Sequence, residues 1–485
     1  MPSRRSKTTS NFFWNFMEQF LSKGIGIITT LALAWYLVPE DYALVAMIFV
    51  FIALSSALVD GGLGQGLIRK LDVSDLDLNT VFWTNIGLSI IIYITVFFSA
   101  PAIASFYDES RLIDLIRVVS LSVFFQSLIV VQRSVLSRSL QFKLQVKVVL
   151  PAAVLSSIIA ITFAYFEYGV WALIYQILAN SFFQFLFFWL LKLWRPSFEF
   201  SIHALEELWS FSKFIVLDSF VAIPFKNMYL IIFPKYFATG PVGLYFFAEK
   251  VKEVMIGLII SSVQTVTYPA LAQIQEESVR LKQGYRKVIA ITTFLMFPFM
   301  FFLSVLTPVL FELFLPEKWQ GASIYLQLML LGSVMYPLHA LNINILQVKG
   351  KSKIVLYIGV YKKAVNVMVL IYTINFGMLA VIIGQVVLSV VHYFPNAYYS
   401  SKLINYSIKE QIKDFSPSLI LSGSVAGLIY YLQLSFSLLS IIESFSLMFL
   451  AVSLYLIGAY TLKLHGFELV KELYMNKFKH KTVSL

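Results

Sequence analysis

The sequence predicts an all-α, polytopic membrane protein with about 14 transmembrane helices. Composition is the first reason: 59% of the 485 residues are hydrophobic and only 13% are charged, and the mean hydropathy is +0.80. Soluble globular domains carry about twice that share of charged residues. The second reason is that apolar runs of about 20 residues, the length that crosses a hydrocarbon core, follow one another along almost the whole chain.

We place the helices on the apolar runs between polar segments. The predicted spans are 11–38, 42–68, 79–105, 111–132, 146–166, 169–193, 211–233, 241–268, 287–311, 321–347, 354–375, 377–400, 415–434 and 438–463. The first is too long for a signal-peptide core and is not followed by a small-residue cleavage site, so we interpret it as an uncleaved helix.

The basic residues predict an orientation in the membrane. If the N-terminus is cytoplasmic, most of the 37 Lys and Arg fall in cytoplasmic segments, and only Arg111, Lys235 and Lys318 fall in outer loops. This asymmetry obeys the positive-inside rule and predicts that both termini are cytoplasmic. The net charge of +11 then needs no nucleic-acid partner, because the same bases face the anionic lipids of the inner leaflet.

Comparison of the chain with itself predicts two related halves. At an offset of 200 residues Tyr36 aligns with Tyr236, and at an offset of 208 Gly169 at the start of the sixth span resembles Gly377 at the start of the twelfth. Because six crossings return a chain to its starting side, the halves are expected to be parallel repeats with a substrate site between them. We predict a six-helix bundle over 1–194, a cytoplasmic linker over 195–210, a second six-helix bundle over 211–402, and two further helices with a basic cytoplasmic tail over 403–485.

The stretch DGGLGQGLIRK (60–70) resembles a phosphate-binding loop at first sight, because four glycines stand between an acid and two bases. A nucleotide loop needs a buried strand before it, whereas an apolar helix of about 25 residues precedes these glycines, and their spacing is not G-x-G-x-x-G. We therefore expect no ATP site. The glycines are expected to end a helix at the cytoplasmic face, where small residues let helices approach closely or unwind beside a cavity.

Nine of the charged residues inside the spans are candidates for function. They are Glu18, Lys23, Asp60, Arg117, Asp218, Lys226, Lys250, Lys362 and Lys363. A charge that faced lipid at the bilayer centre would cost about 2.5–3.5 kcal/mol on insertion scales, so most of these must face protein or water. Arg117, Lys362 and Lys363 lie near helix ends and have stems long enough to reach the interface.

Glu18 and Asp218 have short side chains and lie at matching depths in matching helices. In one interpretation they form structural ion pairs with Lys23 and Lys226. In the other they line a cavity, where the lysines contact a diphosphate or acidic sugars and the carboxylates bind a proton or cation. On the second interpretation, the substrate-binding residues are Lys23, Lys226, Lys250, Asn342 and Asn344, and the ion-coupling residues are Glu18, Asp218 and Asp60.

Spans 10 and 12 add polar residues to this set. His339 and His392 are expected to be hydrogen-bonded packing residues, the commoner role of a lone histidine in a membrane helix. Asn342 and Asn344 beside His339 suggest a polar stripe for sugar hydroxyls.

Four motifs carry a resemblance to a known family. They are LVPEDYALVAM (37–47), DGGLGQGLIRK (60–70), YGVWALIYQ (168–176) and GPVGLYFFAEK (240–250). With these motifs the sequence resembles the Wzx-like polysaccharide transporter branch of the multidrug/oligosaccharidyl-lipid/polysaccharide flippase superfamily, over the first ten to twelve helices. One departure is Tyr42-Ala43, where members often have an aromatic residue followed by glycine.

The resemblance implies a V-shaped pair of bundles in the bacterial inner membrane. It also implies that the protein passes an undecaprenyl-diphosphate-linked oligosaccharide from the inner to the outer leaflet for surface polysaccharide synthesis, by alternating access. A polysaccharide polymerase or chain-length machinery is then an expected partner, and the protein itself is expected to be a monomer.

Two other functions compete with this one. A drug or cation antiporter of the same superfamily is expected to have an acidic cavity, whereas the nine charged candidates named above comprise six bases and three acids. A membrane enzyme such as a polymerase or ligase carries a sizeable outer domain, whereas every predicted outer loop is short. We therefore predict a transporter and no enzyme, without cofactor or metal, that uses a proton or sodium as coupling ion.

Overall fold

The structure is a computed structural model that describes the backbone of residues 4–436 and 441–482. Within these ranges it describes all side chains except those at 4–13, 15, 16, 258–266, 268–270, 436, 441, 473 and 476–482. Bases of the predicted cytoplasmic ends therefore lie outside the described side chains, namely Arg4, Arg5, Lys7, Lys477, Lys479 and Lys481.

The chain divides into two compact units, Met1–Phe247 and Ala248–Leu485. The first holds α1 (Arg4–Tyr36), α2 (Pro39–Asp60), α3 (Leu63–Arg69), α4 (Asp75–Tyr107), α5 (Leu112–Val119), α6 (Leu121–Ser127), α7 (Val130–Arg138), α8 (Phe142–Tyr165), α9 (Val170–Leu190), α10 (Ile202–Lys226), α11 (Met228–Tyr236) and the start of α12 (Thr239–Ala272). The second continues α12 and adds α13 (Ser278–Phe314), α14 (Gly321–Ser333), α15 (Tyr336–Val348), α16 (Ser352–Thr373), α17 (Met378–Val391), α18 (Tyr393–Ile404), α19 (Ile408–Phe436), α20 (Ile441–Thr461) and α21 (His465–Thr482). The described residues form no strand, which confirms the all-α prediction.

The helices confirm a polytopic membrane protein. Eleven helices of the described residues are long and apolar enough to cross a membrane, and the bent pair Leu112–Ser127 and Val130–Arg138 makes up to twelve if its pieces form one span. The predicted spans 11–38 and 241–268 also fall on helices, α1 and α12, whose side chains are only partly described. The count of about 14 stays a prediction.

Local sequence explains where two of the helices begin. Pro39 stands in the first turn of α2, and the Asp41 carboxylate accepts a hydrogen bond from the Val38 N–H at 3.1 Å. At the start of α4, Ser74 Oγ accepts from the Asp77 N–H at 3.2 Å while the Asp77 carboxylate accepts from the Ser74 N–H at 3.0 Å. These caps satisfy donors that the first turn of a helix leaves free.

Helix ends agree with the predicted repeat. α1 ends at Tyr36 and α11 ends at Tyr236, the two tyrosines aligned in the sequence. Gly169 and Gly377 each stand immediately before a helix and have φ of +54° and +93°, a region that glycine enters without steric penalty. The matches support two related halves, and the predicted domain boundaries stay a prediction.

The seventh predicted span, 211–233, is divided at Asn227 into α10 and α11. The second piece, α11, is fastened to the end of α4. Tyr107 Oη donates a hydrogen bond to the Ile231 carbonyl at 3.2 Å, and Lys235 Nζ lies 2.9 Å from a carboxylate oxygen of Asp108. α10 begins inside the predicted linker, and both pieces pack against α2 within the first unit.

Candidate functional site

The glycine stretch 60–70 makes a tight turn and close helix contacts. Gly61 and Gly62 have φ of +54° and +66°, so the chain leaves α2 through a left-handed turn that favours glycine. A Cβ at position 62 would lie 2.9 Å from Cβ of Ile215 on α10, and one at Gly66 would lie 3.3 Å from Cδ2 of Leu208. The stretch therefore ends a helix and lets its neighbours approach, in agreement with the interpretation from the sequence.

The inner end of this stretch is anchored by charged side chains. Lys70 Nζ lies 3.0 Å from a carboxylate oxygen of Asp77 and 2.8 Å from one of Glu207. The hydrogen bond with Glu207 is the main reason why the pKa of Lys70 is raised. Arg138 donates to the Leu67 carbonyl at 3.1 Å and to the carbonyl of Lys70. These bonds hold α3 against α4, α7 and α10.

A polar cavity of about 520 Å³ lies beside the turn, and we call it the first-unit cavity. Side chains of α2, α3, α6, α7 and α9 line it. Gly64 forms part of its wall, where a Cβ would lie 2.8 Å from Asp60 Oδ1 and 3.0 Å from Ser134 Oγ. Glycine at this position therefore leaves the Asp60 carboxylate accessible from the cavity.

Arg133 is the basic group of the first-unit cavity. Its guanidinium donates to Gln184 Oε1 at 3.1 Å and remains accessible to solvent in the cavity. Glu18 of α1 and Asp60 of α2 are the carboxylates that act on it electrostatically, and neither lies within ion-pair distance. An arginine offers five N–H donors. The cavity therefore holds a cation with unused donors and two carboxylates that offset its charge.

Amide and hydroxyl groups extend the polar wall along α9. Gln184 Nε2 donates to Asn180 Oδ1 at 2.5 Å, and Asn180 Nδ2 donates to Ser156 Oγ at 3.2 Å. Gln126 Nε2 lies 3.4 Å from Ser181 Oγ. Such groups form hydrogen bonds with hydroxyl-bearing ligands without adding charge.

The residues assigned to ion coupling and substrate binding in the first unit are only partly brought together. Glu18 and Asp60 share Arg133 as a neighbour, whereas Asp218 and Lys226 lie exposed on α10. The ion pairs Glu18–Lys23 and Asp218–Lys226, one interpretation of the sequence, do not form among the described residues. The function of these groups stays a prediction.

Three of the predicted substrate-binding residues lie in the second unit, and their contacts differ. Lys250 Nζ lies 3.5 Å from a carboxylate oxygen of Glu253 on α12. Asn342 is completely buried, donates to the Leu338 carbonyl at 2.8 Å and accepts from Ser400 Oγ. Asn344 is buried with no described partner for Nδ2. The contacts of Asn342 are those of a residue that joins two helices, and substrate binding by these residues stays a prediction.

Two of the sequence motifs meet at one end of the first unit. A Cβ at Gly243 of α12 would overlap the carbonyl oxygen of Pro39. Beside this contact the rings of Tyr42 and Phe247 pack edge to face with centroids 5.6 Å apart. The N-terminal ends of α2 and α12 are therefore in direct backbone contact.

Arg133 was not among the predicted site residues. The predicted fourth span ends at 132, which places Arg133 just outside it, whereas α7 continues to Arg138. A signal was available in α9, where Gln176, Asn180 and Gln184 follow one another at four-residue spacing, on one face of a mostly aromatic and aliphatic helix.

Comparison with known proteins places this fold in a family. The family described as "Polysaccharide biosynthesis protein" matches residues 32–324, more than half of the chain. The lipopolysaccharide biosynthesis protein WzxC of Escherichia coli (strain K12) is 26% identical over 346 residues, 70% of this chain and 70% of the relative. The succinoglycan biosynthesis transport protein ExoT of Rhizobium meliloti (strain 1021) is 24% identical over 325 residues, 66% of this chain and 65% of the relative.

Solved structures share the fold. The lipid II flippase MurJ in an inward closed conformation matches with a TM-score of 0.75 at 16% identity, over 93% of this chain and 98% of that chain. An outward-facing multidrug resistance MATE family transporter of the MOP superfamily matches with a TM-score of 0.52 at 19% identity, over 82% and 97%. The all-helical membrane fold with its two units and the match over residues 32–324 lead to one conclusion: this chain belongs to the polysaccharide biosynthesis protein family.

Proposed function

We propose that this protein is a flippase of the bacterial inner membrane that moves a lipid-linked oligosaccharide from the inner to the outer leaflet by alternating access. The observation that carries the proposal is the accessible guanidinium of Arg133 in the polar first-unit cavity. The biosynthetic relatives WzxC and ExoT support the glycan class, and the likeness to MurJ supports the fold.

The chemistry of the substrate fits this cavity. A lipid-linked oligosaccharide of the undecaprenyl-diphosphate type carries a diphosphate beside its first sugar. A guanidinium binds phosphate oxygens with two parallel N–H donors, and the amides of Asn180, Gln184 and Gln126 suit sugar hydroxyls. We also assign three further bases to binding of the diphosphate along its path through the protein, namely Lys23, Lys226 and Lys250.

The orientation of the cavity supports entry from the inner leaflet. The cavity adjoins the ends of α2 and α7, next to Arg69 and Lys70, which the positive-inside rule assigns to the cytoplasm together with both termini. An anionic head group in the inner leaflet then meets Arg133 without crossing the apolar core.

Coupling to an ion gradient is part of the proposal. Glu18, Asp60 and Asp218 are carboxylates in membrane helices, and a bound proton or sodium ion drives a transporter only if it favours one open state over the other. We expect Asp218→Asn to weaken the dependence of flipping on an ion gradient, with Glu18→Gln acting in the same direction. An unchanged gradient dependence in the double substitution would remove both residues from coupling.

Two arginines of α7 give a matched test in cells that depend on this protein for surface polysaccharide. Arg133→Gln removes the free guanidinium and is expected to lower export at normal protein abundance, while Arg133→Lys restores part of it. Arg138→Gln removes bonds to the carbonyls of Leu67, Lys70 and Leu71 and is expected to lower abundance instead. Equal export per protein molecule in wild type and Arg133→Gln would contradict the assigned role.

The carboxylates of the first-unit cavity favour one second candidate, a drug or cation antiporter. Glu18 and Asp60 would then bind an organic cation, and Arg133 would repel it. Resistance of the expressing cells to cationic drugs separates the two: the flippase proposal expects no change in drug sensitivity on deletion of the gene.

A further inference from the structure

A second polar cluster lies in the second unit, among α15, α16 and the junction of α17 with α18. It consists of His339, Lys362, His392 and Asn396, and we call it the basic cluster. Residues 318–409, which include three predicted spans, contain no Asp or Glu. The cluster is therefore built from bases and amides within a part of the chain that has no acid.

Hydrogen bonds define the state of His339. Asn396 Nδ2 donates to His339 Nδ1 at 3.1 Å, and His339 Nε2 lies 2.9 Å from the Ser389 carbonyl, to which it donates. An imidazole that accepts at one nitrogen and donates at the other is neutral. His339 is thus held as a neutral hydrogen-bonded group.

Two other members of the basic cluster have polar atoms without a hydrogen-bond partner among the described residues. His392 is 9% exposed and its Nε2 has no partner among the described residues, nor has Oδ1 of Asn396. Lys362 is partly buried and is the charged group that acts electrostatically on both imidazoles. Polar atoms without partners in a membrane helix bundle indicate a place where water or a proton is accommodated.

Among the described residues, the helices packed on α16 bring no acid to Lys362. α17 has no titratable side chain, and α15 adds the exposed Tyr336 besides His339. α18 adds Tyr393, which donates to Gln411 Oε1 at 3.0 Å, the exposed Tyr398 and Tyr399, and Lys402, which donates to Tyr398 Oη at 2.6 Å. Lys363 follows on α16 and has contacts of its own.

The acids on the neighbouring helices α13 and α19 are engaged elsewhere. Asp414 accepts two hydrogen bonds from Arg286 at 2.7 and 2.8 Å. Glu410 lies 2.9 Å from Lys282, and Glu312 is exposed near the end of α13. Within the part of the chain that the structure describes, the basic cluster therefore lacks a carboxylate to hold a permanent positive charge.

An amine in such a place changes charge with its access to water. Burial among helices disfavours the ammonium form, and contact with water favours it. If one conformation of the protein opens the amine to water and another closes it, proton binding and conformation are coupled.

We propose that Lys362 is a proton-binding site of the second unit that loads and releases one proton in each transport cycle, with His339 and His392 as its neutral neighbours. The amine lone pair takes a proton from water on one side, and the ammonium returns it to water on the other side; no other bond changes. This proposal rests on the proposed transport function and adds a coupling residue that is a base and lies apart from the carboxylates of the first unit.

Charge-preserving and charge-removing variants test this site. Purified protein in vesicles flips a labelled lipid-linked oligosaccharide, and the rate is compared with and without an imposed pH gradient. Lys362→Arg keeps the charge but cannot release its proton, and Lys362→Met cannot bind one. We expect both to flip at equal rates with and without the gradient, whereas the matched control Lys363→Arg keeps the wild-type response.

A readout that is independent of transport tests the site itself. The chain has 5 histidines, so single substitutions assign the imidazole NMR signals of the full-length protein in detergent. We expect the signals of His339 and His392 to change with pH as Lys362 binds its proton, and this change to be absent in Lys362→Arg and Lys362→Met. A pH response that persists in both variants would overturn the proposal. A gradient response in Lys362→Arg equal to that of the wild type would also overturn the proposal, and so would flipping by the wild type that does not respond to the gradient. If the wild type does not flip the lipid at all, the proposed function is overturned instead.

Discussion

Gly243 and Pro39 are in backbone contact: a Cβ at position 243 would overlap the carbonyl oxygen of Pro39. The contact joins the first turns of α12 and α2, which carry two of the four family-like motifs. A side chain at 243 must therefore push the two helices apart.

Gly243→Ala is expected to destabilise the first unit by about 1–3 kcal/mol, the usual cost of overpacking. The matched control is Gly87→Ala in α4, where a Cβ meets nothing within 4 Å and helix propensity favours alanine by about 1 kcal/mol. Thermal unfolding in detergent measures both. An unchanged midpoint in Gly243→Ala would show that the helices separate without cost.

The two glycines of the left-handed turn are expected to differ in their response to alanine. Both substitutions place a side chain at positive φ, at about 1–2 kcal/mol. Only Gly62→Ala also drives a methyl group against Ile215, whereas the space at Gly61 offers ordinary contacts of 3.4 Å or more. The unfolding midpoint should therefore fall further in Gly62→Ala, and the opposite order would contradict the packing seen here.

Asn342 and Ser400 are expected to act as a structural pair. Asn342→Ala should lower stability by about 0.6 kcal/mol, the average for a hydrogen bond between membrane helices, and Ser400→Ala should add little to it. A double-mutant cycle of unfolding midpoints measures this coupling. The flipping rate per folded molecule of Asn342→Ala should stay near that of the wild type. A loss of flipping without a loss of stability would indicate instead that Asn342 binds the substrate.

Glu18 and Asp60 are expected to be redundant as counter-charges of Arg133. Glu18→Gln or Asp60→Asn leaves one carboxylate near the guanidinium, whereas the double substitution leaves none. Because the remaining carboxylate still offsets part of the charge of Arg133 in each single variant, the double variant should lose more abundance than the sum of the single variants. Additive losses would show that the two acids act independently.

The fold was largely predictable because membrane helices need long apolar runs, and among the described residues the predicted spans fall on single helices or on consecutive shorter ones. The break at Asn227 was not predictable, since nothing in the apolar pattern of 211–233 marks it. The residues of the first-unit cavity were harder still to predict. Asp60 and Glu18 stood out as acids in apolar helices, but Arg133 acquires its role only from α9 and α1, which lie far from it in sequence and meet it through packing.

The most direct test is flipping by the purified protein in vesicles that contain a fluorescent lipid-diphosphate oligosaccharide, measured as the fraction of label that a membrane-impermeant quencher reaches over time. The account predicts that wild type moves the label between leaflets, that Arg133→Gln does so far more slowly, and that Arg133→Lys is intermediate. Label movement no faster than in protein-free vesicles, or equal movement in wild type and Arg133→Gln, would contradict it.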